Sequence, residues 1–195
     1  MMDILATDYQ IFELLNSHLT HPLLDAVMPY WRDKLSWLPL YVVAAGWILY
    51  RYRRAGLGLL LVVALAVGTA DQISSTLIKK SVKRERPCRE QRLQPAARVL
   101  TGCGGGYSFP SSHASNHFAL ASLLALSWAR AASSRWRWAL FLWAGSIAYG
   151  QVYVGLHYPV DVLFGALLGT AIGWAASRLY CRLPAGWREP GFCPG

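Results

Sequence analysis

The chain has 195 residues, 54% of them hydrophobic and only 15% charged, against about 25% charged in an ordinary soluble domain. Its charges are clumped, leaving stretches without Asp, Glu, Lys or Arg at 35–50, 55–70, 99–129, 138–160 and 162–177; several approach the roughly 17–25 residues of a membrane-crossing helix. These figures exclude a disordered chain and a soluble secreted domain, and a net charge of +9 distributed between apolar segments fits anchoring to lipid headgroups better than nucleic-acid binding.

Residues 1–34 carry seven charged side chains and no unbroken apolar run, so no cleavable leader is expected there. Within 9–33, Ile11, Phe12, Leu15, Leu19, Leu23, Leu24, Val27, Met28 and Trp31 fall near helical spacing beside charges, which predicts one or two amphipathic helices in the membrane interface. A first crossing is expected over 36–50, stopped by Arg51, Arg53 and Arg54, and a second over 55–78 with Asp71 as its only charge. A long polar loop follows over 79–110. Three further helices are expected over 112–129, 138–154 and 159–178, with a basic turn at Arg130, Arg135 and Arg137. The expected fold is all-α, a helical membrane bundle of about five transmembrane helices at 35–180, with an interfacial segment at 1–34 and a tail at 181–195.

The short turns and the tail share one face and hold nine of the 19 Lys and Arg. Positive charge in short loops favours the cytoplasm, so the 79–110 loop, the 154–159 connection and the N-terminus are expected on the outer or periplasmic side of an inner membrane.

Three polar clusters meet on that outer face. The first runs from Lys79 to Pro87 and includes Arg86; alone it reads as a basic membrane anchor, and in company as a clamp for anionic oxygens. The second, Phe109-Pro110-Ser111-Ser112-His113, opens a helix whose free N–H groups and positive dipole end favour an anion. In the third, Gly150 to Asp161, Pro159 at the first helical position makes Tyr158 the N-cap and places Asp161 at the third, reaching back beside His157. A carboxylate on one imidazole nitrogen fixes the tautomer and leaves the other free to attack. Each cluster has a plain capping or anchoring reading by itself, but all three on one face favour a phosphate site.

The ordered set Lys79-x6-Arg86-Pro87, Pro110-Ser111-Ser112-His113 and Gly150-Gln151-x5-His157-x3-Asp161 resembles the signature of the type 2 phosphatidic acid phosphatase superfamily, K-x6-R-P, P-S-G-H and S-R-x5-H-x3-D. The resemblance spans about 36–180. It implies phosphatase chemistry without a metal or other cofactor, on a lipid phosphate such as an undecaprenyl diphosphate, phosphatidylglycerol phosphate, phosphatidic acid or lipid A. By that resemblance His157 is the nucleophile forming a phosphohistidine, Asp161 its orienting partner and His113 the acid for the leaving oxygen. Lys79, Arg86, Ser111, Ser112 and Gln151 would contact the phosphate. A phosphotransferase using the same site and a non-enzymatic binder of lipid phosphates are the alternatives.

Ser112 stands where the signature has glycine, and Gly150-Gln151 where it has serine and arginine. A neutral amide at 151 brings no charge; Lys80, Lys83 or Arg84 is expected to compensate, the alternative being that Gln151 holds the phosphate by neutral donation with a weaker grip. Cys88 and Cys103 bracket a short polar segment and would pair in an oxidising compartment, the other reading being two free thiols. No cysteine spacing predicts a zinc site.

Overall fold

The structure is a computed structural model that describes residues 2–193 apart from 92, 94–96 and 129–133. The expected end of the third crossing at 129, and Arg130 and Arg92, lie outside the described residues. The described chain is helical, with α1 (Met2–Glu13) continuing as a π-helical turn Leu14–His18, then α2 (Pro22–Trp31) and α3 (Leu38–Gln72). A second π-helical stretch, Ile73–Ile78, leads into the short α4 (Lys79–Val82) and a 3₁₀ turn at Pro87–Arg89. Then come α5 (Ser112–Ser127), α6 (Ser134–Tyr153) and α7 (Pro159–Cys181).

The long α3 is two helices. Arg53 has non-helical dihedrals, φ 52° and ψ −121°. A Cβ placed on Gly56 would lie 2.5 Å from the carbonyl oxygen of Ile48, whereas residues eight apart on a straight helix are separated by about 12 Å. The chain therefore folds back at the basic turn. This gives two antiparallel arms where the sequence predicts two crossings, and Ile48 from one packs with Leu59 and Val62 from the other.

By length and composition, Leu38–Arg89 and Pro159–Cys181 are apolar enough to cross a membrane. The sequence expectation also assigns crossings to α5 and α6; as described, α5 has 16 residues, short for a span, and α6 is less apolar. α5 lies at the centre of the bundle, where Ser115, His117 and Ser122 are buried by neighbouring helices and need not be lipid-soluble. The outer surface has the opposite character: Val43, Leu142 and Leu167 are exposed, the arrangement of a protein whose girth faces an apolar medium.

The α5/α7 seam positions the candidate site. Gly165, Gly169 and Gly173 repeat every fourth residue along one face of α7, opposite Ser111, Ser115, Ala119 and Ser122. Cβ atoms on those glycines would overlap backbone oxygens of α5, so the two backbones approach as closely as small residues allow. This brings the start of α5 against the start of α7, where the Ser111 N–H donates to the Asp161 carbonyl at 3.0 Å.

Two disulfides are present, Cys88–Cys103 with Cα atoms 5.9 Å apart and Cys181–Cys193 at 5.6 Å. The first is the expected pairing. The second was not anticipated: twelve residues separate the partners, and the pairing follows from the tail turning back so that Phe192 packs on Tyr52 and Trp128.

Candidate active site

The three clusters are tied together by hydrogen bonds to backbone carbonyls. Arg84 O, in the first, accepts from Ser108 N at 2.8 Å, at the entry to the second. The chain passes a cis Phe109–Pro110 peptide into α5. The first meets the third through Arg86, whose Nη1 donates to Leu156 O at 3.1 Å, while its Nη2 donates to Gly105 O at 3.2 Å.

The start of α7 has the geometry its sequence predicts. Tyr158 is the N-cap, Pro159 opens the helix, and Asp161 Oδ2 accepts the Tyr158 N–H at 2.9 Å. The same oxygen lies 3.5 Å from His157 Nδ1. The other ring nitrogen, Nε2, faces Arg86 Nη1 at 3.2 Å. A guanidinium can only donate, so this contact places a lone pair on Nε2 and the ring proton on Nδ1, toward the carboxylate. His157 is buried, and burial holds its pKa down to about 4 against the opposing pull of Asp161, with Arg86 and Lys79 adding to the depression. The imidazole is therefore neutral near pH 7, with its free lone pair directed at a cation that can hold a phosphate oxygen.

Asp161 is held from its other side by residues outside the signature. Arg84 Nη1 donates to Asp161 Oδ1 at 2.8 Å, and Arg84 Nη2 to Asp8 Oδ2 at 2.6 Å. Asp8 Oδ1 also accepts the Val160 N–H at 2.9 Å, and the guanidinium lies 3.8 Å from the centre of the Tyr158 ring. Arg84 thus neutralises two buried carboxylates and is already occupied. Lys80 and Lys83 are exposed, so none of the three cations expected to compensate for Gln151 is placed to do so.

The N-terminal segment is more than a surface layer. Asp8, Phe12 and Asn16, spaced every fourth residue, form its buried face. Asn16 donates to the carbonyls of Arg98 and Tyr153 at 2.9 and 2.8 Å and accepts the Arg98 N–H at 2.8 Å. The Arg98 carbonyl fits against the third cluster because Gly155, at φ 83°, has no Cβ to collide with it.

The remaining predicted residues are distributed as follows. Lys79 begins α4 within electrostatic reach of Arg86 and Asp161. His113, in the first turn of α5, has His157 and Arg32 among its electrostatic neighbours. Ser111 caps α5, its Oγ accepting from Ala114 N at 3.4 Å, and Ser112 Oγ shares a 2.8 Å hydrogen bond with Ser75. Gln151 is fully buried and donates to the Arg32 carbonyl at 3.3 Å. Sequence reasoning missed Asp8, Asn16 and Arg32. For Asp8 and Asn16 the available signal was a polar residue on the buried stripe of an amphipathic helix, which a hydrophobic period does not separate from one facing water; Arg32, past the end of α2, offered none.

Residues 55–183 match the family model of the PAP2 superfamily. The chain belongs to that superfamily. It is 32% identical over 180 residues to the lipid A 4'-phosphatase of Bacteroides thetaiotaomicron, covering 87% of this chain and 77% of that one. It is 26% identical to the lipid A 4'-phosphatase of Porphyromonas gingivalis, over 94% of this chain and 77% of that one. Among solved structures, that of Aquifex aeolicus LpxE superimposes with a TM-score of 0.64 at 25% identity, covering 87% of this chain and 93% of the other. The fold of the PAP2 type phosphatidylglycerolphosphate phosphatase from Bacillus subtilis matches with a TM-score of 0.74 at 22% identity, over 95% of this chain and 90% of that one. The protein is a PAP2-type phosphatase associated with membranes.

Proposed function

We propose that this PAP2 protein hydrolyses a lipid phosphate of the lipid A class through a phosphohistidine on His157. His157 Nε2 attacks phosphorus as the bond to the lipid oxygen breaks, His113 gives that oxygen a proton, and water then cleaves the phosphohistidine to release inorganic phosphate. Asp161 balances the charge that develops on the ring. Arg86, Lys79 and the N–H groups at the start of α5 hold the equatorial oxygens, the main requirement of a loose phosphoryl transition state. Ser111 and Ser112 complete the polar surround, and Gln151 stands behind it with its amide N–H on the Arg32 carbonyl.

The observation that carries the lipid reading is a cavity of about 560 Å³ that begins at Ser112 and His113 and continues between the two arms of α3. Beyond Lys34, Asp71, Asn116 and His117 its walls are Leu38, Ile48, Leu60 and Leu124 with other apolar side chains. Such a channel takes an acyl chain and has no use for a soluble phosphate ester. The two curated lipid A 4'-phosphatases named above support the substrate class. In this reading five helices cross the inner membrane, namely both arms of α3 with α5, α6 and α7. The active site opens at the outer leaflet.

The test is phosphate release by the purified protein in detergent, with chelator present, from lipid A, undecaprenyl diphosphate, phosphatidylglycerol phosphate and phosphatidic acid. Release fastest from lipid A, abolished by His157→Ala, is the expected result. Full activity in His157→Ala would overturn the mechanism, and preference for another lipid would overturn the substrate.

A further inference from the structure

Arg32, one residue beyond the end of α2, is a half-buried guanidinium without an ion pair among the described residues. Its Nη1 donates to Thr101 Oγ1 at 3.3 Å, and its Nε is buried with no hydrogen-bond partner. It stands within electrostatic reach of both Arg86 and His113. Burial lowers its pKa, offset in part by Asp33. An arginine withdrawn from water, within electrostatic reach of a second arginine and left with an unmade hydrogen bond is costly to the free protein. The arrangement becomes favourable once an anion with several acceptor oxygens enters between the two guanidinium groups.

The residues that seat Arg32 are those at which this chain leaves the signature. Gln151 donates its amide hydrogen to the Arg32 carbonyl at 3.3 Å. A Cβ on residue 150 would lie 3.1 Å from Arg32 Cβ and 3.5 Å from Met28 Sδ, so the glycine leaves room for α2 to approach. We propose that Arg32 is a phosphate ligand of the active site, delivered from the N-terminal segment, and that Gly150 and Gln151 are positioning residues that hold it there. The cation required near position 151 comes from a different element of the fold, and the neutral amide avoids placing a second positive charge against it. This inference rests on the phosphatase reading of the site given above.

The experiment measures inhibition by vanadate, a phosphate mimic, and hydrolysis of one lipid phosphate by the full-length protein in detergent. Arg32→Gln is expected to raise the vanadate inhibition constant by about 10- to 100-fold, the usual scale for one charge-assisted hydrogen bond, with Arg32→Lys intermediate. Gln151→Arg is expected to weaken vanadate binding while Arg32 is present and to strengthen it in the Arg32→Gln background, a reversal of sign. Gln151→Met keeps the side-chain length without the N–H; it is expected to cost a few-fold alone and nothing further once Arg32 is Gln, because it acts through Arg32. An Arg32→Gln protein that binds vanadate within twofold of wild type, while Arg86→Gln loses it, overturns the proposal and leaves the phosphatase site intact. If Arg86→Gln also leaves inhibition unchanged, the reading of the site itself fails. Should Arg32→Gln not fold, Arg32→Lys and Gln151→Met decide: inhibition unchanged in both overturns the assignment.

Discussion

Replacing the glycines of α7 by alanine tests how the seam sets the site. Inside a helix, Gly to Ala is ordinarily stabilising by roughly 0.5–1 kcal/mol, because glycine loses more backbone freedom on folding. Gly46 and Gly68 in α3 and Gly145 in α6 have nothing within 4 Å of a new Cβ, so alanine there should show that gain. At Gly169 the new atom would overlap the Ser115 carbonyl oxygen and lie 2.9 Å from Ala119 N, and at Gly173 it would lie 2.7 Å from Ser122 Cβ. Backbone atoms cannot rotate away, so the helices must part. Overpacking of this kind costs about 1–3 kcal/mol, which outweighs the propensity gain and leaves a net loss of about 1–2 kcal/mol. For a chain of this size that lowers Tm by roughly 2–8 °C. Gly165→Ala should cost activity as well, since its Cβ would lie 2.6 Å from the carbonyl oxygen of Ser111, whose own N–H holds the start of α7. Thermal unfolding of the purified variants in detergent, followed by tryptophan fluorescence, measures the difference. A Gly169→Ala protein as stable as Gly145→Ala would refute the close-packed seam.

Three further outcomes are expected. Because the fold holds His157 at a pKa near 4, below the ordinary value of about 6.5, the folded state binds its proton later than the unfolded chain as pH falls. The stability that neutral His157 contributes is therefore complete above about pH 6.5 and is lost on acidification toward pH 4. His157→Asn should flatten that part of the pH–stability curve, and identical curves would contradict the assignment. Asp8→Asn keeps the acceptor for Val160 N–H but removes the charge facing Arg84 across 2.6 Å in a pair that is 14% and 1% exposed. It should destabilise by about 1.5–3 kcal/mol and lower kcat, as Arg84 shifts onto Asp161 alone; unchanged melting and turnover would show Asp8 to be idle. Finally, the two disulfides lie at opposite ends of the 23-residue α7, a helix about 35 Å long. In protein purified without reductant a thiol reagent should label none of the four cysteines; labelling of Cys88 and Cys103 would refute their bridge and count against an outward-facing loop, since cytosolic thiols stay reduced.

Local signals account for much of the protein. Pro159 and Asp161 are two residues apart, so proline at the first helical position and a carboxylate at the third fix the cap of α7 and bring Asp161 to His157 without help from the rest of the fold. Apolar runs broken by basic turns mark the helices, and the stop at Arg51 to Arg54 is where α3 folds back. What lies across the bundle could not be read this way. Lys80, Lys83 and Arg84 are neighbours in sequence of Arg86, and proximity along the chain makes them the natural substitutes for a missing charge at 151. In the fold Arg84 is consumed by Asp8 and Asp161, the two lysines face outward, and Arg32 arrives from 119 residues away, anchored by Gln151. Asp8 and Asn16 were equally hidden, because a helix lying on a bundle and one lying on a membrane show the same apolar stripe. Sequence period reports that a face avoids water. Only tertiary packing decides whether lipid or protein covers it, and so whether a polar residue on that face is a misfit or, like Asp8, a counter-ion for the site.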